Sequence, residues 1–305
     1  RARLEALLEA ISYQNPSSDP EAQRRYTLSL TDGDGGVSVD HDLRIQIAPV
    51  DDGGLTGLAQ ETVNSFAEGD QRLPEIAALS GGGWVTVWAS NGQDGSGWGV
   101  YGQIYGADGA RIGGEFRLAE QSVGDQHVPE VVGLAGGGFA AVWQGEGQGD
   151  ADDGIRVRRF AADGTPLGDE DLVNTTIAYD QNNAQIAAIP AGGFYVFWQS
   201  YYQDGGYYRH YGQRYDAAGQ KVSWDGATPG AEEIRIDPAT AGAAGEPSAT
   251  VLADGTLAVA WRYGGDVVYS VWNPAGVLIV DQQVLSQTTA GTQYEPSLAA
   301  DGAGG

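Results

Sequence analysis

The chain has 305 residues, 41% of them hydrophobic and 48 of them glycine, too apolar for a disordered tract and enough for two or three domains with cores. Sixteen basic against 41 acidic residues give a formal charge of −25, which argues against nucleic acid or an anionic membrane as partner and favours cations. With no cysteine, there is neither a disulfide framework nor a thiolate metal site.

In chain order, Leu4, Leu7, Leu8 and Ile11 are spaced for a short helical turn, which Pro16 and Pro20 end. Two strands over residues 26–31 and 37–49 follow, joined as a hairpin by Asp32-Gly33-Asp34-Gly35-Gly36. Two strands cannot bury a core alone, so residues 1–52 are predicted to be the end of a β-sandwich, with 53–60 as a linker. Asp32 and Asp34 are candidate metal ligands or, equally, turn-stabilising acids. The most apolar stretch, 186–198, contains Pro190 and two glycines and is shorter than the roughly 20 residues of a membrane helix. The start at Arg1 without a signal-peptide pattern and the closing "DGAGG" turn suggest a piece of a longer protein.

From residue 61 the chain repeats. "GGGWVTVWAS" returns as "GGGFAAVWQG", "GGFYVFWQS" and "DGTLAVAWRY", setting Trp88, Trp143, Trp198 and Trp261 about 55, 55 and 63 residues apart. Each copy has a segment before it ("DQRLPEIAAL", "DQHVPEVVGL"), a segment after it ("GVYGQIYGADG", "HYGQRYDAAG") and a short fourth segment ("EFRLAE", "EIRIDP"). Four strands per unit, divided by Gly/Asp turns, are predicted for units near 61–124, 125–179, 180–244 and 245–294, with the start of a fifth. The eight extra residues of the third unit fall between Gly219 and Glu233, in a loop. Alternation places Trp84, Thr86 and Trp88 on one face and Val85 and Val87 on the other, both largely apolar. A strand covered on both faces belongs between stacked sheets, so the predicted class is all-β: a β-propeller-like array of four-stranded antiparallel blades.

Residues 4–52, with "LLEAISYQN", "RRYTLSLTDGDGG" and "IQIAPVDD", resemble the last third of the cadherin-like domains of large bacterial surface proteins. Residues 61–305 resemble the Trp-containing repeats of the same giant hemolysin-type (RTX) adhesins. The resemblance implies type I export, calcium-assisted folding and a non-catalytic role in adhesion or cell-surface assembly, at the cell surface or outside it. Its partners would be a surface glycan, a protein or copies of the chain itself. The nonapeptide calcium repeats that accompany such proteins are absent from the segment.

Acids recur in the loop after each tryptophan strand: Asp94, then Asp150, Asp152 and Asp153, then Asp204, with Gln93, Gln148 and Gln203 each five residues past their tryptophan. Oxygen ligands in Gly-rich loops suit Ca²⁺; the same composition is ordinary in turns. Tyr201, Tyr202, Tyr207, Tyr208 and Arg209 form a candidate patch for a sugar or a protein surface. His41, His127 and His210 stand alone in sequence and read as isolated surface residues. No nucleophile motif is present, so the expectation is a protein without catalysis. The alternative is a secreted carbohydrate-active enzyme with paired carboxylates on a propeller rim.

Overall fold

The computed structural model describes residues 62–146, 153–203, 208–230, 233–237, 245–285, 291–293 and 295–300, and the strand backbones of 23–28 and 41–46. The chain divides into two units, Arg1–Thr62 and Val63–Gly305. In the first, β1 (Gln23–Leu28) and β2 (His41–Gln46) pair antiparallel, from Gln23 opposite Gln46 to Leu28 opposite His41. The pairing begins three residues earlier than the alternation of the first strand suggests. The expected helical turn and the Asp32/Asp34 loop lie outside the described residues, and the cadherin-like part of the fold expectation is not borne out by anything described.

The described residues of the second unit form four antiparallel sheets in sequence. The first blade is β3 (Gln71–Ala78), β4 (Trp84–Asn91), β5 (Trp98–Tyr105) and β6 (Arg111–Arg117). The second is β7 (Gln126–Gly133), β8 (Phe139–Gly145), β9 (Gly154–Phe160) and β10 (Asp171–Leu172). The third runs β11 (Gln181–Ala188), β12 (Phe194–Tyr201) and β13 (Tyr208–Tyr215). Its outer edge is split into β14 (Lys221–Val222) and β15 (Ile234–Arg235), both paired with β13, because the extra residues interrupt it. The fourth is β16 (Ser248–Val251), β17 (Leu257–Tyr263), β18 (Asp266–Trp272) and β19 (Leu278–Val284). This is an all-β, β-propeller-like fold.

The tryptophan strands explain the repeat. In each pair of neighbouring blades, the tryptophan face of the later one packs on the opposite face of the earlier one. Phe139, Ala141 and Trp143 meet Val85 and Val87, and Phe194, Val196 and Trp198 meet Ala140 and Val142. Leu257, Val259 and Trp261 then meet Tyr195 and Phe197. Trp143, Trp198 and Trp261 are fully buried, a burial that contributes roughly 1.5–3 kcal/mol per large side chain. The glycine before the strand is forced by a close approach: a Cβ on Gly83, Gly138 or Gly193 would lie 2.1, 2.0 or 2.2 Å from the carbonyl oxygen of Tyr105, Phe160 or Tyr215.

The blades are also latched at their outer strands. The Glu115 carboxylate accepts the backbone N–H of Ser65, Glu170 that of Glu120 (2.9 Å), and Glu233 that of Thr175 (2.9 Å). Glu170 and Glu233 thus tie their blades to the end of the preceding unit, and Glu115 holds the equivalent segment ahead of the first blade.

Candidate active site

The first strand of each blade lies beside the first strand of the next, β3 by β7, β7 by β11 and β11 by β16. Three of these inner strands carry the same irregularity. Register jumps between Arg72 and Glu75, His127 and Glu130, and Asn182 and Gln185, so that two residues oppose one on the tryptophan strand. Leu73, Val128 and Asn183 take left-handed backbones there, at φ 53, 50 and 52. For a β-branched valine this is a true outlier. Bulges of this kind re-aim the side chains that follow them.

The residues that follow are Glu75, Glu130 and Gln185, one per blade. The Gln185 amide donates to Glu130 Oε1 at 3.0 Å, spanning two blades. Burial pushes the Glu130 carboxyl up to about 7, and the charge of Glu75 adds to the rise against the opposing Gln185 hydrogen bond. Burial also raises Glu75, the more exposed of the two. Glu130 therefore keeps its proton near neutral pH beside a second carboxyl, the relation that lets one group act as acid while the other carries charge. The fourth blade has Ser248 at this position, its hydroxyl accepting the Leu298 N–H at 2.9 Å.

Beside this row, between the first two blades, lies a cavity of about 280 Å³ lined by Arg72, Leu73, Ala89, Trp98, Asp125 and His127. It exists because Ala89 stands where the next two blades place buried Gln144 and Gln199. The Arg72 guanidinium sits 5.2 Å from the Trp98 ring centre, and Asp125 Oδ1 accepts the Trp98 backbone N–H at 2.8 Å. His127 Nε2 is 3.4 Å from Asp153 Oδ2, and that hydrogen bond, helped by the charges of Asp153, Asp125 and Glu146, raises the imidazole above its usual range against the opposing effect of burial. An indole beside a cation, a carboxylate and an imidazole suits a polyhydroxylated ligand.

Of the residues expected to bind metal, Asp153 is committed to His127. Asp94 turns inward: its side chain is 4% exposed, Oδ1 accepts the Ser96 N–H at 3.1 Å, and Oδ2 is 3.9 Å from Arg117. The glutamines face glutamates of the fourth segment, Gln93 donating to Glu115 at 2.8 Å and Gln203 to Glu233 at 3.2 Å. Asp32, Asp34, Asp150, Asp152 and Asp204 lie outside the described residues. Among the described residues, no group of three or more His, Asp and Glu is placed to hold a metal ion. Tyr201, Tyr202 and Tyr208 cluster at the rim, Tyr201 with its ring 4.6 Å from Tyr202 and 4.8 Å from Tyr208. Tyr207 lies outside the described residues. Arg209 separates from them: strand alternation carries it inward, 5% exposed and 3.9 Å from the buried Asp237.

His210 is likewise no surface residue. It is fully buried, its Nε2 2.5 Å from the Gly245 carbonyl oxygen, and burial lowers its pKa to about 4, with Arg209 adding to the drop. Sequence reasoning missed Glu75 and Glu130 because "PEIAA" and "PEVVG" read as ordinary strand, with the glutamate in a polar slot of the alternation. The shared "GDQxxPE" of residues 69–75 and 124–130 was the available signal.

No protein-family model and no curated protein matches the sequence. Solved structures do. The GH93 α-L-arabinofuranosidase of Fusarium graminearum, solved with arabinobiose, is 12% identical over 92% of this chain and 86% of its own, with a TM-score of 0.51. The α-L-arabinanase of Penicillium chrysogenum is 14% identical over 73% and 67%, with a TM-score of 0.49. The endo-arabinase of Bacteroides thetaiotaomicron is 14% identical over 72% and 82%, with a TM-score of 0.42.

These findings correct three expectations. The Fusarium graminearum structure that shares this fold is a GH93 α-L-arabinofuranosidase and not an RTX adhesin or cadherin-like domain, so the family resemblance does not stand. With it fall the non-catalytic adhesin role and the expectation of no enzyme, and type I export and calcium-assisted folding lose the support they drew from it. The physical reason lies in the motif itself. A glycine turn, an apolar strand and a tryptophan encode blade packing, which adhesin and enzyme propellers need alike. Among the described residues, no helix is long and apolar enough to cross a membrane.

Proposed function

We propose that this chain is a carbohydrate-active propeller that hydrolyses glycosidic bonds, with Glu130 as proton donor to the leaving oxygen and Glu75 as the companion carboxylate. The observation that carries this is Glu130 itself, a carboxyl held protonated to about pH 7 on a strained inner-strand bulge, beside a second carboxyl. As the C–O bond breaks, the Glu130 proton passes to the departing oxygen, and a water molecule attacks the anomeric carbon as Glu75 takes its proton and faces the positive charge that develops on the sugar. The cavity under Trp98 and Arg72 receives a neighbouring ring. The fold shared with a GH93 α-L-arabinofuranosidase supports the class and makes arabinosides the first substrates to try. A polysaccharide substrate also fits an extracellular location.

The test is release of reducing sugar from arabinan and from small aryl arabinosides. The wild type should be active, with a rate that falls as pH rises through about 7, and E130Q should lose about 10²–10⁴-fold. A wild type inert on arabinans and other neutral glycans, or an E130Q variant as fast as wild type, sinks the reading.

A further inference from the structure

Two tyrosines of the third blade stand where other blades use glycine. Tyr179 corresponds to Gly69 and Gly124 in the first two blades, and Tyr202, four residues past its tryptophan, corresponds to Gly92. Those glycines are left-handed, at φ +66, +80 and +78, and the tyrosines keep that backbone at φ 65 each. A bulky L-residue is strained there. At Gly69 and Gly124 a Cβ would also meet Asn91 O at 2.5 Å and Glu146 Cβ at 2.7 Å. In the third blade the residue matching Asn91 and Glu146 is Tyr201, and the rings cluster: Tyr179 on Tyr202 at 5.3 Å, and Tyr202 edge-on to Tyr201.

The arrangement is held in place before any ligand arrives. Gln181, fully buried, donates to the Tyr179 carbonyl oxygen at 3.2 Å and accepts the Trp198 indole N–H at 3.1 Å, while the Tyr201 N–H donates to the Asp180 carbonyl oxygen at 3.0 Å. Yet Tyr179 and Tyr202 remain 51% and 45% exposed. Strain that leaves large rings half in water is not repaid by packing, and points to a ligand.

We infer that Tyr179 and Tyr202 form a stacking platform for a neutral glycan chain, a subsite that rests on the carbohydrate-active reading above and lies away from its carboxylates. Two exposed rings match one or two sugar rings and fall far short of the roughly 1,000 Å² a protein interface needs. Arg209, buried against Asp237, lends the patch no charge, and a chain of net charge −25 repels acidic polymers. Tyr179 lies six residues before Gln185, the partner of Glu130, and so within about 20 Å of it, the turn into β11 and its bulge lying between. A bound polymer can therefore reach both places.

Affinity electrophoresis in gels containing arabinan or xylan tests this, in an E130Q background so that the polymer stays intact, and well below the lowest Tm. Y179G/Y202G restores the residues of the sister blades. It should cut retardation at least tenfold, leave Tm unchanged or higher, and leave hydrolysis of a small aryl arabinoside unchanged when Glu130 is present; Y179F/Y202F should bind like the parent. Undiminished retardation of Y179G/Y202G overturns the platform, as does a parent retarded by neither polymer. Retardation that follows the tyrosines in a protein that hydrolyses nothing keeps the platform and removes the hydrolase.

Discussion

A carboxyl that keeps its proton to about pH 7 in the fold, and only to the usual range once unfolded, ties stability to pH with a definite sign. Below about 4.5 Glu130 is protonated in both states and costs nothing; as pH rises toward 7 the unfolded chain ionises first, so stability falls and then levels. E130Q should therefore stabilise the fold at pH 8 by about 2 kcal/mol, after allowance for the solvent that reaches the site, and so raise Tm there, while changing it little at pH 4.5. A variant less stable at pH 8 would mean that Glu130 is a structural acid. His210 works at the other end of the scale. Its folded pKa of about 4 lies below the ordinary 6.5, so the stability it contributes is present above 6.5 and is lost as pH falls toward 4, about 3 kcal/mol in all. H210F, which keeps a ring against Trp261, should flatten the acid limb of Tm against pH between 6.5 and 4; an unaltered limb would place acid lability elsewhere.

The blade is the unit that packing recognises. Removing the indole at the first joint, W143A, should lower stability by about 3–5 kcal/mol, read as a shift in denaturant midpoint at constant slope. The latch offers a milder probe. E233Q keeps the size of the side chain and an amide oxygen for Thr175, but weakens the charge-assisted bonds from its N–H and hydroxyl, so a loss of about 1 kcal/mol is expected. No change would make that contact decoration. Blades were legible from the sequence because alternation and tryptophan spacing are local: Trp143 and Val142 announce their opposite faces by position alone. The carboxylate row was not, since Glu75 and Glu130 are 55 residues apart and meet only through bulges whose left-handed residues, Leu73 and Val128, carry no glycine to advertise them. The surroundings of the acidic loops were hidden for the same reason. Asp94 and Asp153 read as rim ligands, and what they do depends on Arg117 and His127, which come from other strands.

Across the whole molecule, 41 acids against 16 bases make the native state repel itself. Several acids are already engaged locally, such as Asp163 and Asp254, whose carboxyls are held below the usual range by the backbone N–H groups of Thr165 and Thr256. The remainder acts as a diffuse field, which salt screens over about 10 Å at 0.1 M. Tm should rise from low salt to 0.5 M NaCl, and a falling Tm would show that ion pairs such as Arg158–Glu120 outweigh the net repulsion. The outer latch bears on how such a chain can change over generations. Ser65 with Glu115, Glu120 with Glu170, and Thr175 with Glu233 are one joint made three times, the last two binding a unit to the unit before it and the first holding the segment ahead of the first blade. A duplication or deletion of one whole unit in the gene would leave every remaining joint with its proper partners, whereas a frame of any other length would strand a glutamate without its amide. Blade number is thus open to inheritance by whole steps, and the carboxylate fixes the size of the step.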